Sequence, residues 1–372
     1  MIRKFSLYFF IIFSILPIKY LYTDTYSSEE MWNLQQSYIK MGLESENTST
    51  INFKIYQSNK KINSNFKEIK NEKLDVLFDN DNNLSTILIK DNEIIYSRIN
   101  KNKKINFDST LNGMSVSKSA LSSVIGKLYC DGKISSLNDK IDVYSKFLEK
   151  TPYKNVTIKE ALQMKSGVSE IGRKDEGLLV AKALGLGKFQ GKGSLENVLL
   201  SYDSASTRPG SRFNYHQTDT IALSILVSNL TGKSVSEIFY EDLYLTFAKS
   251  NNLIWVADSK DYTVGFSSLT MSSVDWVFFG NFILEEIKKN TCLGNYFKEG
   301  MNNSIKLDNK DNYGYHFWYD ANNNIINFSG TGGQSILIYE KNNIVLFISS
   351  LSSNYSGQNV WEESKKIIKT IQ

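Results

Sequence analysis

Ser115 and Lys118 stand three positions apart in the run Met114-Ser115-Val116-Ser117-Lys118-Ser119-Ala120. Residues at i and i+3 share one face of a helix, so this hydroxyl and this amine can meet without help from the rest of the fold. A serine becomes a nucleophile only when a base takes its proton, and a lysine becomes a base only when its own pKa falls. The first turn of a helix serves both needs. Its positive dipole end disfavours an ammonium, and burial disfavours it further. Its free backbone N–H groups can bind a developing oxyanion. Ser37–Lys40, Ser58–Lys61 and Ser64–Lys67 repeat the same four-residue pattern. A helix-capping serine followed by a surface lysine would account for any single copy. The Ser115 copy is set apart by its surroundings: a strand pair precedes it, a long helix follows, and two more motifs lie downstream.

The second motif is Pro209 to Gln217, Pro-Gly-Ser-Arg-Phe-Asn-Tyr-His-Gln, which leads into the helical run Thr218-Asp-Thr-Ile-Ala-Leu. A tyrosine just before a helix, here Tyr215, could present its phenol to the serine–lysine pair and relay a proton. Most of the 21 tyrosines in the chain must nonetheless be packing residues. The third motif, Ser329-Gly-Thr-Gly-Gly-Gln334, falls between two strand-like runs. Its glycines would let a ligand approach a sheet edge, or would simply form a hairpin turn.

These motifs need elements to hold them. Ser85–Lys90 and Glu93–Ser97 around Asp91-Asn92 read as a β-hairpin. Ser115–Tyr129 reads as a helix, with Leu121, Val124, Ile125 and Leu128 at helical spacing and Asp131-Gly132 as its stop. Leu137–Leu148, Ile158–Met164, Thr218–Leu230, Val235–Ala248 and Ser273–Lys288 read as further helices, and Gly185–Gly193 as a glycine-rich lip to a site. Strands return over Tyr315–Asp320, Asn324–Phe328, Gln334–Glu340 and Asn343–Ser349, before a closing helix from about Gln358 to Ile371. The order is α+β: one antiparallel sheet built from both chain ends, flanked by helices, with a mostly helical lobe inserted between. The expected division is a targeting segment over 1–22, a polar extension or tether over 23–74, and a catalytic domain over 75–372. In that domain the sheet part is about 75–114 and 310–372, and the helical lobe about 135–305.

Composition removes several classes of function. The chain has 372 residues, 41% of them hydrophobic, enough for a sizeable core. Its 43 basic and 39 acidic residues are too balanced for a nucleic-acid binder. With 2 His and 2 Cys, no metal-ligand spacing appears, so neither metal nor other cofactor is expected. His216 and His316 alone give a Ser-His-Asp hydrolase little to work with, and no Gly-x-Ser-x-Gly elbow is present. Cys130 and Cys292 could pair in an oxidising compartment or remain buried thiols, and the sequence does not choose between these. Arg3 and Lys4 precede the apolar run Phe5–Ile18. That run has the length of a signal-peptide core, and no Ala-x-Ala site follows it. Cleaved signal or uncleaved membrane anchor, it predicts export.

Taken together and in this order, the three motifs resemble those of the penicillin-recognising serine hydrolases, which include β-lactamases and D,D-peptidases. The branch is similar to class C β-lactamases, carboxylesterases and 6-aminohexanoate-dimer hydrolases, in which Tyr-x-Asn replaces Ser-Asp-Asn. Further matches are Ile125-Gly126-Lys127, Asp131–Asp139, Val156–Gly167, Asp275-Trp276 with Phe279-Gly280, and Tyr313-Gly314-Tyr315 with Trp318. The resemblance covers about Leu74 to Gln372. It implies a β-lactamase/D,D-peptidase-like fold with Ser115 as acyl-accepting nucleophile, Lys118 as base and Tyr215 as proton shuttle. It implies an oxyanion hole from the N–H groups of Ser115 and Thr331, or Gln334 in a shifted register, and substrate contacts from Gln217, Gly330 and Gly332. Three positions depart from the family pattern. Gln217 replaces an Asn, Thr270 stands where aminohexanoate hydrolases carry Asn, and the third motif lacks its Lys. The missing cation argues against an efficient β-lactamase and for an ester, amide or peptide substrate of small size. The alternative is a non-hydrolytic binding or sensor protein of the same fold. The oligomeric state is left open.

Overall fold

The computed structural model describes residues 29, 32–33, 51–57, 66–78, 81–168, 182–183, 193–202, 204–250, 252–308, 311–351, 362, 364–368 and 371. The apolar run at Phe5–Ile18, most of the glycine-rich stretch at 185–193, and much of the closing helix lie outside these residues. Among the described residues no helix is long and apolar enough to cross a membrane.

Eleven strands are described: β1 (Ile51–Gln57), β2 (Asn83–Lys90), β3 (Glu93–Ile99), β4 (Thr110–Asn112), β5 (Asn252–Asp258), β6 (Thr270–Ser272), β7 (Asn312–Tyr313), β8 (Trp318–Asp320), β9 (Ile325–Gly330), β10 (Gln334–Tyr339) and β11 (Ile344–Ser350). The larger sheet runs β3-β2-β11-β10-β9-β8-β7, with all its pairs antiparallel. It is therefore assembled from both ends of the domain, as the order of elements in the sequence requires. The β2–β3 turn at Asp91 (φ 51°) and Asn92 (φ 67°) uses the left-handed backbone that these short polar residues tolerate.

Four long helices carry the packing: α1 (Val116–Cys130), α2 (Thr218–Thr231), α3 (Ser273–Lys288) and α4 (Cys292–Asn302). Helix α3 lies on the sheet where Gly280 lacks a side chain, since a Cβ there would fall 2.5 Å from Ile336 and 2.6 Å from Val345. Helix α1 is enclosed almost along its whole length, and even its serines are buried. Each buried hydroxyl finds a carbonyl: Ser117 donates to Met114 O, Ser119 to His316 O, Ser122 to Tyr315 O and Ser123 to Ser119 O. Those bonds offset the cost of burying polar groups. They also stitch the helix to the 315–316 segment.

Several elements differ from the sequence reading: Tyr315–Asp320 is a strand only over Trp318–Asp320, and helix α4 has no counterpart in that reading. Leu137–Leu148 is not a helix; it makes single turns at Ile141–Tyr144 and Leu148–Lys150. Its backbone bonds go instead to the next segment, with Ile141 N–H on Val156 O, Ile158 N–H on Asp139 O and Lys159 N–H on Leu137 O. A second sheet, β1-β5-β6-β4, joins two strands of the inserted lobe, β5 and β6, to two that precede it, β1 and β4. Its strand β1 lies within the stretch read as a tether and pairs with β5 along all seven residues, from Ile51↔Asp258 to Gln57↔Asn252. Val235–Ala248 is helical but is interrupted by a π-helical turn at Phe239–Tyr244.

Cys130, the last residue of α1, is disulfide-bonded to Cys292, the first of α4, with Cα atoms 5.7 Å apart. The bond closes a loop over a separation of 162 residues. A link across so long a loop restricts the unfolded chain strongly. Replacing both cysteines by alanine should lower the unfolding free energy by about 2–5 kcal/mol. Guanidinium titration with and without reductant checks this, and an unshifted midpoint would count against it.

Candidate active site

The site starts at the junction of β4 and α1. Gly113 N–H bonds Leu269 O, and Met114 takes a left-handed backbone (φ 51°) that a long side chain rarely adopts. Asn112 Oδ1 holds it there by accepting from Met114 N–H at 2.6 Å. Ser117 Oγ donates to Met114 O at 2.7 Å and accepts from Leu269 N–H at 3.0 Å. The first helical turn then closes through Val116 N–H to Gly113 O, Ser117 N–H to Met114 O and Lys118 N–H to Ser115 O. None of these bonds uses the N–H of Ser115.

Ser115 does not cap the helix with its side chain. Its hydroxyl instead accepts from Lys118 Nζ at 3.0 Å. Lys118 is 1% exposed. Its amine also donates to Phe266 O at 3.1 Å and lies 4.9 Å from the centre of the Tyr215 ring. Among the described residues it forms no ion pair. The sequence-derived trio of Ser115, Lys118 and Tyr215 thus converges on one point.

Tyr215 arrives on a loop that is tied to the segment after Ile158–Leu162. Asn214 N–H bonds Met164 O, Gly210 N–H bonds Lys165 O, and Gly167 O accepts from Ser206 and Thr207. The half-buried Tyr215 ring stacks on Trp318 (centroids 5.8 Å apart) and meets Tyr313 edge-on (5.8 Å). Phe213 packs on Tyr313 and Trp318 beside it. Gln217 is buried at the start of α2, two residues beyond the phenol.

The opposite wall is the end of β9. Gly330 lies flush on the nucleophile turn. A Cβ there would be 2.3 Å from Gly113 O and 3.1 Å from Ser115 N. Thr331 follows directly, half-buried, and Gly332 (φ 80°) and Gly333 (φ 85°) turn the chain into β10. Gln334 pairs across the hairpin with Gly330, and its buried side chain donates to Thr331 O and Ser350 O. That side chain serves the turn. Thr270 is buried in β6, with its hydroxyl on Ser268 O.

Sequence reasoning assigned no site role to Asn112, Phe266 or His316. The His316 backbone is left-handed (φ 61°). Leu162 O accepts both its backbone N–H (2.9 Å) and its Nδ1–H (2.8 Å), which leaves Nε2 to accept from the Thr220 hydroxyl at 3.1 Å. Burial first, and the Lys118 charge second, pull its pKa down to about 3. No cluster that could hold a metal ion exists among the described residues.

Residues 80–263 match the family model described as Beta-lactamase. Over that stretch, just under half of its length, the chain resembles the family. Its β-lactamase fold is shared with several solved structures, each below 25% identity. A presumed 6-aminohexanoate-dimer hydrolase from Bacillus anthracis superposes with a TM-score of 0.75 at 19% identity, covering 90% of this chain and 93% of that one. A penicillin-binding protein from Bacillus halodurans gives 0.61 at 15%, covering 80% and 99%. EstCE1, a hydrolase with promiscuous acyltransferase activity, gives 0.57 at 14%, covering 74% and 91%. No curated protein matches the sequence significantly. The chain thus has the β-lactamase fold.

Two outcomes are expected. Gly330→Ala must push β9 off the nucleophile turn, because the atom it meets is backbone. Fluorophosphonate labelling should slow by about 10²-fold, the usual scale for losing an oxyanion donor. Unchanged labelling would show that β9 does not shape the site. The second concerns acid stability. Folded His316 refuses a proton that the unfolded chain takes up below pH 6.5. Its contribution is complete above that pH and is lost on acidification towards its folded pKa, by about 1.4 kcal/mol per pH unit. His316→Asn, which tolerates the left-handed backbone, should flatten the stability–pH curve between pH 6 and about 4 by that amount. Parallel curves would refute the assignment.

Proposed function

We propose that the protein is an exported serine hydrolase that cleaves a small ester or amide through an acyl-enzyme on Ser115. The observation that carries this is the buried Lys118 amine, 3.0 Å from the Ser115 hydroxyl and beneath the Tyr215 ring. Lys118, in its neutral form, takes the hydroxyl proton as Ser115 Oγ attacks the carbonyl carbon. The oxyanion of the tetrahedral intermediate is bound by the N–H groups of Ser115 and Thr331. The C–O or C–N bond then breaks, and the leaving alcohol or amine departs with a proton relayed through Tyr215. Water, deprotonated by the same pair, cleaves the acyl-enzyme and regenerates Ser115.

Two features support a neutral substrate. The third motif has no lysine to grip a carboxylate, and the half-buried rings of Phe213, Tyr215 and Trp318 line one wall. Export is supported by the basic-then-apolar N-terminus and by the disulfide, which persists in oxidising compartments.

Fluorophosphonate labelling and p-nitrophenyl ester turnover test the reading. Ser115→Ala should abolish both, and Lys118→Ala should cut turnover by at least about 10³-fold. Equal labelling of wild type and Ser115→Ala would eliminate it.

A further inference from the structure

His216 and Asp219 follow Tyr215 closely, and neither has a role in the reaction just described. Asp219 is a fully buried carboxylate in the first turn of α2. A carboxylate near a helix N-terminus is favoured by the dipole, but that alone explains neither its burial nor its partners. Tyr153 Oη donates to its Oδ1 at 2.6 Å, and Ser166 N–H reaches its Oδ2 at 3.4 Å. The third neighbour is His216, whose Nε2 lies 3.6 Å from Oδ1. The imidazole is itself buried, and its Nδ1 is 2.5 Å from the Thr218 hydroxyl. With that hydroxyl donating to Nδ1, the ring proton sits on Nε2 and faces Asp219. Among the described residues Nε2 has no hydrogen-bond partner, and a shift of a few tenths of an ångström would give it one.

Asp219 therefore bonds two separate pieces of chain, Tyr153 and the turn at Ser166, and lies against a third, the loop that ends at His216. Ser166 belongs to the same turn whose Met164, Lys165 and Gly167 carbonyls hold the 206–214 loop. All of these ties meet on the segment that presents Tyr215 to Lys118. Burial holds His216 below its usual pKa and Asp219 above its own, so both groups are biased towards their neutral forms.

We propose that Asp219, acting through His216, is the positioning residue that fixes the Tyr215 ring over Lys118. The proposal rests on the reading of Tyr215 as proton relay. Asp219 touches neither substrate nor the reacting atoms. It restrains the residue adjacent to Tyr215 and so the phenol's approach to the amine, where a misplacement of about 1 Å can cost about 10²-fold in rate.

The test compares Asp219→Asn, Asp219→Ala, His216→Ala and the double variant His216→Ala/Asp219→Ala in ester turnover, with hydrogen exchange of residues 204–217 measured on the same proteins. Asp219→Asn keeps the volume and an acceptor for Tyr153, which guards against failure to fold. Its kcat should fall by about 10²-fold with KM changed less than about threefold, because Asp219 itself does not touch the substrate. The double variant should be no worse than Asp219→Ala, since the two residues act in series. Exchange over 204–217 should quicken severalfold in all four. Additive losses, or a fall in kcat matched by Tyr153→Phe, would mark a purely structural role and overturn the proposal. Full turnover by Asp219→Asn beside a dead Ser115→Ala would overturn it while leaving the acyl-enzyme reading intact. If the wild type turns over no ester, the acyl-enzyme reading falls by itself, and the exchange data alone decide whether Asp219 holds the loop: unchanged protection means that it does not.

Discussion

One amine sealed away from water organises this molecule. Lys118 has a hydroxyl and a carbonyl as its hydrogen-bond partners and an aromatic ring as its roof. Burying an amine without a carboxylate is costly, and it persists only where the surrounding chain leaves it no alternative. Each neighbouring element contributes to that confinement. Strand β4 delivers the Met114 turn, the segment before β6 supplies Phe266 O, the α2 loop supplies Tyr215, and β9 closes against Ser115 through Gly330.

The enclosure of α1 follows from the same need. A helix whose first turn carries the nucleophile must not shift by a fraction of an ångström, and α1 is gripped from every side. Its serines bond to carbonyls at 315 and 316, Gly126 admits Leu293 and Tyr296 of α4, and Cys130 ties its far end to Cys292.

Much of this was legible in the sequence, and the failures have physical causes. The serine–lysine spacing fixes its own geometry through the helical repeat, so no tertiary knowledge is needed to bring Ser115 to Lys118. The hairpin turns announce themselves through Asp91-Asn92 and the glycines at 332 and 333. Leu137–Leu148 misled because its apolar spacing suits a helix, whereas its backbone bonds are captured by Val156–Lys159. Strand β5, Asn-Leu-Ile-Trp-Val-Ala-Asp, is a continuous apolar run buried on both faces, and such a run carries no period to distinguish strand from helix. Phe266 and His316 act through a carbonyl and a left-handed backbone, which side-chain identity does not encode.

The stacking of Tyr215 on Trp318 has an optical consequence. Trp255 and Trp276 are enclosed in the core and bonded through their indole N–H groups to carbonyls, so their emission is insulated from events at the surface. Trp318 is half-exposed and in ring contact with the phenol beside the nucleophile. The chain thereby carries its own fluorophore at the mouth of the cleft, able to report occupancy in real time without a label.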